Sequence, residues 1–365
     1  MRKTYLDNIR WITVVIVVIY HVIYIFNGVT TYGLLGPLSS FQPQDAYQYI
    51  VYPWFMVLLF VVSGMSARFE LEKRSGKTTL SELDKGTEKA FLKSRTRKLL
   101  VPSTIGILLF GWIMGYYNMI ISDAFASMSD VPKVILFLIM DVSGTGVLWY
   151  IQMLWIFSVL LLLVRKIEKD KLYNLCAKAN VPILLALTIV IYGAAQILNT
   201  PAIVVYRFGI YGAAFFIGYF VMSHDEVMDR MQKSWLLLTI LAVACGVAFL
   251  IMFWGQSYPD HSVLDTLMCN VYTWLGTLGI LAFMKKWGGF TNSFSTWMGR
   301  KSWGLYIFHY LFIASSAWYL LLYVPNMPPL AIYLIVTFCA FAGSFILDTI
   351  VRKIPFVRWC VLGIK

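Results

Sequence analysis

Long apolar runs, most of them close to twenty residues, dominate the chain and alternate with short polar segments. A helix needs about 20 apolar residues to cross a bilayer. Strands of a membrane β-barrel are about ten residues long and alternate apolar with polar positions, which these runs do not. The pattern therefore predicts an all-α polytopic membrane protein with about ten transmembrane helices, at residues 10–28, 49–67, 99–121, 133–164, 181–198, 204–222, 234–254, 263–284, 302–323 and 330–351.

The fourth predicted span is too long for one straight crossing, and glycines interrupt it between Asp141 and Gly146. Glycine within an apolar run marks a break. Exposed backbone at membrane depth is tolerated only where it faces protein or water. We therefore predict a broken helix near Asp141–Gly146, with a short outer piece followed by a full span.

The composition supports a single integral membrane domain over residues 1–365. Of the 365 residues, 59% are hydrophobic and only 13% are charged, whereas soluble proteins carry about 25% charged residues. A soluble globular protein is thereby excluded. The cysteines form no close pair of the kind that a zinc or redox motif requires, so we expect reduced structural thiols and no metal; they are Cys176, Cys245, Cys269, Cys339 and Cys360.

Charge predicts the orientation of the spans. With both termini in the cytoplasm, inner segments hold 28 of the 30 basic residues, and only Lys133 and Arg207 lie outside. This agrees with the positive-inside rule, so we expect the cell membrane and a basic cytoplasmic loop at 68–98. The net charge of +12 then reflects membrane orientation, and we expect no nucleic-acid partner.

Arg10 and His21 are the first candidates for chemistry. His21 lies eleven positions after Arg10, with ten residues between them, in one predicted helix, which is about 16 Å along the axis and about 20° around it. A membrane histidine often serves only helix packing, but a neutral one can act as a general base near neutral pH. Two further histidines, His224 and His261, fall in loops and are expected to be solvated.

Two clusters on the predicted inner side have both a structural and a functional interpretation. Arg95, Arg97 and Lys98 precede the third span, where they anchor the helix at lipid headgroups or bind phosphate. On the ninth span, His309 lies about two turns from the predicted inner end with Tyr306 on the adjacent turn. Helix packing and function are both open for this pair.

Six motifs in order resemble the membrane acyltransferases of family 3, whose signature is an arginine and a histidine separated by ten residues on the first span. Arg10 and His21 match that signature. The motifs are LDNIR at 6–10, FVVSG at 60–64, RTRKLLVP at 95–102, LWY at 148–150, FFIG at 215–218 and SWGLYIFH at 302–309. Within the family, they look most like the branch of glucan biosynthesis protein C.

The resemblance implies transfer of an acyl group, acetyl or succinyl, from cytoplasmic acyl-CoA to a hydroxyl of an extracytoplasmic glycan or related acceptor. The strongly basic inner face would attract the CoA phosphates. We expect His21 to act as general base, with Asp141 to orient it and Asp45 as the substitute. Direct transfer and an acyl-histidine intermediate are both open.

Further site residues are expected from charge and from the same resemblance. Charge places Arg10, Arg95, Arg97 and Lys98 at the CoA phosphates, and the resemblance implies Ser63, Tyr306 and His309 along the pantetheine arm. At the acceptor we expect Asp45, Trp149, Tyr150 and Arg207, with an aromatic girdle at the membrane surface as the alternative for Trp149 and Tyr150. Two other classes remain as alternatives, a transporter or flippase of a small anionic or lipid-linked substrate and a membrane sensor or scaffold. The oligomeric state is open.

Overall fold

A computed structural model describes residues 3–29, 34–128, 130–200 and 205–365. The described residues form helices and no named strand. The helices are α1 Thr4–Tyr24, α2 Ala46–Ser75, α3 Lys85–Arg95, α4 Ile105–Ile121, α5 Lys133–Ser143, α6 Trp149–Glu168, α7 Lys171–Cys176, α8 Val181–Ala195, α9 Phe208–Ile217, α10 Asp225–Lys233, α11 Trp235–Phe253, α12 His261–Leu264, α13 Leu267–Trp287, α14 Ser293–Tyr323, α15 Pro329–Lys353 and α16 Pro355–Leu362.

The prediction of an all-helical polytopic membrane protein is confirmed. Eight helical segments of the described chain are long and apolar enough to cross a membrane, and two shorter apolar helices lie at Val181–Ala195 and Phe208–Met222. Each of these ten segments overlaps one predicted span. Val204, where the sixth predicted span begins, lies outside the described residues. The orientation with both termini inside remains a prediction.

The predicted break in the fourth span is present. Helix α5 ends at Ser143, a 3-10 turn covers Gly146–Leu148, and α6 begins at Trp149. Gly146 has a φ of +42°, which is the left-handed region that glycine adopts without a steric cost. The glycines that signalled the break in the sequence thus allow the turn.

The segment at 68–98, predicted as a loop between two spans, is largely helical. Helix α2 continues to Ser75, and α3 occupies Lys85–Arg95. Two ion pairs one turn apart, Arg68 with Glu72 and Glu70 with Arg74, support the extension of α2, because oppositely charged side chains at this spacing stabilise a helix. Hydropathy alone marked the end of the apolar run and missed the polar continuation of the helix.

The chain divides into two compact units. The first comprises Met1–Thr13, Tyr49–Arg95 and Met153–Ser295, and the second comprises Val14–Gln48, Thr96–Gln152 and Thr296–Lys365. In the first unit, two family motifs contact each other through their glycines. A Cβ on Gly64 would lie 1.9 Å from the carbonyl oxygen of Phe215, and one on Gly218 would lie 2.1 Å from that of Val61. Only glycine permits this approach of α2 to α9.

Arg68 organises a buried polar cluster in the first unit. Its side chain is fully buried and donates to Glu72, to Asp170 at 2.9 Å and to the carbonyl oxygen of Thr78 at 2.6 Å. Its guanidinium lies 3.5 Å from the centroid of the Tyr173 ring. These contacts satisfy the charge and tie the segment after α2 to the segment after α6.

In the second unit, the inner part of α14 packs against α15 around a buried carboxylate. Asp348 is fully buried and accepts from Lys301 at 2.8 Å and from Arg352 at 2.7 Å. A Cβ on Gly304 would lie 2.2 Å from the Asp348 Oδ1 atom. Gly304 therefore provides the space in which the carboxylate meets its two cations.

Candidate functional site

Two histidines from separate helices meet in the second unit. The His309 Nε2 atom on α14 lies 3.1 Å from the His21 Nδ1 atom on α1. The ring centroids are 5.0 Å apart, His309 is fully buried and His21 is half-buried. A direct bond between the two imidazoles makes them one chemical unit, in which the proton position on one ring constrains the other.

His309 lies about two turns after residue 302, where the predicted span begins. The helix that carries it starts earlier, at Ser293, so His309 is about 24 Å from the start of α14 at 1.5 Å per residue. His21 lies about 26 Å from the start of α1 at Thr4 by the same rise. The two histidines therefore lie at similar distances from the starts of their helices.

The backbone of α14 fixes the proton on His309. Its Nδ1 atom lies 3.0 Å from the carbonyl oxygen of Leu305 and 2.8 Å from that of Tyr306. A carbonyl oxygen only accepts, so Nδ1 carries the hydrogen and donates it. In the neutral ring, the Nε2 atom that faces His21 is then the acceptor.

The proton on His21 follows from this assignment. Because the His309 Nε2 atom accepts, the His21 Nδ1 atom donates to it. The carbonyl of Val17, one turn earlier in α1, is also within hydrogen-bonding reach of the His21 ring. The Nε2 atom of neutral His21 therefore holds a lone pair, which is the state that a general base requires.

Three tyrosine rings surround His21. Tyr20, Tyr24 and Tyr310 meet its ring edge to face, with centroid separations of 5.1, 6.3 and 5.2 Å. Such contacts are favourable because the positive ring edge meets the negative ring face. They also restrict the orientations that the imidazole can adopt. The sequence did not identify these tyrosines as site residues, since tyrosine is frequent throughout this chain.

Tyr306 connects the histidine helix to the helix break. Its hydroxyl donates to the carbonyl oxygen of Val147, within the turn between α5 and α6. Its ring also lies 6.0 Å from that of Tyr150, which in turn lies 6.4 Å from Trp149. The Tyr306 hydroxyl thus gives a hydrogen-bond partner to a backbone carbonyl at the helix break. Trp149 and Tyr150 follow directly after the break in the chain.

The two predicted acidic site residues have different surroundings. Asp141 is buried, and neither of its oxygens has a hydrogen-bond partner among the described residues. Asp45 is also buried and accepts from Gly28 N at 3.2 Å and Gln42 Nε2 at 3.4 Å. Neither carboxylate bonds to His21 in the described chain.

The basic candidates separate into paired and unpaired groups. Arg10 donates to Asp7 at 2.6 Å and to Ser66, and Arg95 donates to Glu70 at 2.9 Å. Arg97 and Lys98 form no ion pair among the described residues, and the Arg97 Nε atom is buried without a hydrogen-bond partner. Arg97 and Lys98 therefore keep positive charge available for an anion.

Two more candidates, Ser63 and Arg207, lie in the first unit. Ser63 precedes Gly64 in α2, at the glycine contact with α9. Arg207 is buried and donates to Asp265 at 3.2 Å and to the carbonyl oxygen of Leu264 at 3.3 Å. His261 pairs with the same carboxylate at 3.1 Å.

The expectation that His224 is solvated is wrong. The side chain is buried and stacks on Tyr173 with ring centroids 3.9 Å apart. Its Nε2 atom donates to the carbonyl oxygen of Tyr173 at 2.9 Å. Burial lowers the pKa of His224.

In the described chain, no cluster of three or more His, Cys, Asp or Glu residues is arranged to hold a metal ion.

Fold and site together define a multi-pass helical membrane protein with an imidazole pair in its second unit. A family model described as an acyltransferase domain, that of acyltransferase family 3, matches residues 3–349. The chain belongs to this family and is therefore a membrane acyltransferase, as its motifs predicted. No curated protein and no solved structure matches the chain. The assignment to the glucan biosynthesis protein C branch stays a prediction.

Proposed function

We propose that this acyltransferase moves an acetyl or succinyl group from acyl-CoA to a hydroxyl of an extracytoplasmic glycan or related acceptor. The observation that carries the proposal is the hydrogen bonding of the histidine pair, from which the proton positions follow. Two backbone carbonyls fix His309, and His309 in turn leaves the His21 Nε2 atom unprotonated. An oriented neutral imidazole is the group that deprotonates an attacking hydroxyl.

The proposed reaction is direct transfer. The His21 Nε2 atom takes the proton of the acceptor hydroxyl as its oxygen bonds to the thioester carbon. The carbon–sulfur bond then breaks, and the imidazolium returns the proton to the departing thiolate, which leaves as the free thiol of CoA. Proton and charge balance without a further reactant.

His309 acts as a positioning residue in this scheme. When His21 gains a proton, its Nδ1–H bond to His309 becomes charge-assisted and strengthens. The pair thus performs the orienting and stabilising task that an aspartate performs in a serine-protease triad. A neutral partner does this without placing a permanent negative charge within apolar helices, where an unpaired charge is costly.

The proposed donor contacts are with the CoA phosphates. Arg97 and Lys98 support them, since neither has an acidic partner among the described residues and a guanidinium meets phosphate oxygens bidentately. Arg10 and Arg95 are proposed as further phosphate contacts, although each also contacts an acidic residue. Ser63 and Tyr306 are proposed along the pantetheine arm.

The proposed acceptor contacts centre on a pair of unsatisfied polar atoms. The Asp45 Oδ1 and Gln48 Nε2 atoms are buried without hydrogen-bond partners among the described residues. Asp45 lies three residues before Gln48, and Asn27 donates to the Gln48 Oε1 atom. A hydroxyl matches this pair, because it donates to the carboxylate and accepts from the amide. Trp149, Tyr150 and Arg207 are proposed as further acceptor contacts.

The test uses the purified protein in phosphatidylcholine vesicles with acetyl-CoA or succinyl-CoA and a panel of glycans. Release of free CoA thiol that depends on a glycan supports the proposal, and mass spectrometry of the glycan shows where the acyl group is attached. His21→Ala is expected to abolish turnover and to retain acyl-CoA binding, with Ile251→Ala as a control on the exposed face of α11. Substantial turnover by His21→Ala contradicts the role of His21, and transport of acyl-CoA without thioester consumption contradicts the enzyme.

A further inference from the structure

An apolar groove with a volume of about 470 Å³ runs along the first unit. Helices α2, α11 and α13 form its walls. The lining includes Ile50 and Trp54 of α2, Val243 and Val247 of α11, and Gly276 and Ile280 of α13. Glycines let the aromatic rings of the lining pack closely, since a Cβ on Gly246 would lie 2.9 Å from the Tyr272 ring and one on Gly276 2.9 Å from the Trp54 ring.

The polar atoms of the lining are already bonded within the protein. The Trp54 Nε1 atom and the Tyr272 hydroxyl both donate to the carbonyl oxygen of Ile50. The Thr239 hydroxyl donates to the carbonyl oxygen of Trp235 at 2.8 Å. A polar ligand would lose hydrogen bonds to water here without replacement, which is unfavourable. The groove therefore suits a hydrocarbon chain.

The lipid around the protein supplies such a hydrocarbon chain. Helix α11 is the most apolar of the eight long helices in the described chain, and Val243 is 61% exposed on the face that opens to the exterior. The groove volume of about 470 Å³ and its open side accommodate a stretch of one phospholipid acyl chain.

One end of the groove carries an unpaired cation. Phe283, in the lining, contacts Trp235 with ring centroids 6.0 Å apart. The Lys286 ammonium lies 5.0 Å from the centroid of the same tryptophan ring and forms no ion pair among the described residues. Its neighbour Lys285 is paired with Asp229 at 3.0 Å. Lys286 is therefore available for a phosphate at the membrane surface.

We propose that this groove binds one acyl chain of an anionic phospholipid, with the lipid phosphate at Lys286. Charge complementarity selects the headgroup, because each lysine near a membrane surface contributes about 1 kcal/mol of attraction to anionic lipid. The aromatic rings beside Lys286 are typical of residues that lie at headgroup level. This lipid site is separate from the histidine pair and does not depend on the proposed reaction.

The experiment places the full-length protein in phosphatidylcholine vesicles with a trace of phosphatidylglycerol that carries a photoreactive diazirine on its acyl chain. After irradiation, mass spectrometry maps the labelled peptides. We expect labels on the groove-lining parts of α11 and α13. Unlabelled phosphatidylglycerol is expected to compete about fivefold more effectively than phosphatidylcholine.

Two variants and a matched control test the details. Val243→Phe fills the groove and should remove most of the labelling there, whereas Ile251→Phe, on the same helix but outside the groove, should leave it unchanged. Lys286→Gln should abolish the preference for the anionic competitor, while the groove is still labelled. A monodisperse elution profile shows that each variant is folded.

Several results would overturn the proposal. Labels spread evenly over the exposed faces of α11 would show ordinary contact with bulk lipid. Equal competition by the two lipids would remove the role of Lys286. A disulfide between two chains that carry Val243→Cys would show that a second copy covers the groove.

Discussion

Removing the acceptor nitrogen of His309 tests the histidine pair directly. His309→Leu keeps a buried apolar side chain in α14 and deletes the atom that lies 3.1 Å from the His21 Nδ1 atom. A hydrogen bond to a charged group contributes about 1.5–3 kcal/mol. Since this bond becomes charge-assisted only when His21 holds the transferred proton, its loss should appear in the transition state. We expect kcat to fall about 10- to 150-fold.

The Michaelis constant for acyl-CoA should change little, because the substitution leaves the basic residues in place. His309→Gln is the matched variant. Its amide oxygen reaches the region of the ring Nε2 atom and accepts a hydrogen bond, so it should recover part of the rate that His309→Leu loses. The assay is release of CoA thiol by purified, monodisperse protein in vesicles. A wild-type rate in His309→Leu, or equal losses in the two variants, would refute the positioning role.

The remaining predictions address charge, packing and pH. Arg97→Gln should raise the Michaelis constant for acyl-CoA up to about fivefold with a smaller effect on kcat, and Lys178→Gln, an exposed lysine of the first unit, should change neither constant. Gly304→Ala should lower the thermal unfolding midpoint, since its Cβ would meet a buried carboxylate oxygen at 2.2 Å and overpacking costs about 1–3 kcal/mol. Gly299→Ala is the control on the same helix. Its Cβ would have nothing within 4 Å, so the midpoint should not change. Burial lowers the pKa of His224 below its ordinary 6.5, so the unfolded chain binds the proton first as pH falls below 6.5 and stability should decrease there. The thermal unfolding midpoint, measured between pH 7.5 and pH 5, about the window in which histidine titrates, should therefore fall less in His224→Gln than in the unsubstituted protein.

The membrane spans and the family could be predicted from the sequence because both depend on short, continuous stretches of residues. An apolar run of bilayer length is visible without knowledge of its neighbours, and the glycines around Gly146 marked the break in the same way. The motifs at 60–64 and 215–218 were visible separately, but their contact through Gly64 and Gly218 was not. Sequence patterns identify such positions and do not state which pairs touch.

Polar helices and buried charges were the parts that hydropathy could not predict. Helix α3 and the end of α2 are too polar for an apolar pattern, and their stability comes from ion pairs and from the burial of Arg68. Asp348 likewise lies in an apolar run, and its role depends on Lys301 and Arg352. A single charged residue in a span indicates that it has an oppositely charged or polar partner, but the sequence does not identify that partner.

The pairing of His21 with His309 could not be predicted from either span alone. The predicted spans put His309 about two turns after residue 302 and His21 about three turns after Arg10. Counted from the helix starts at Ser293 and Thr4, the two rings lie about 24 and 26 Å along their helices. An apolar run shows how far along its own helix a histidine lies, but it does not show which helix packs beside it. A sequence-based search for buried histidine pairs should therefore compare distances from the helix starts and then test every pair of helices.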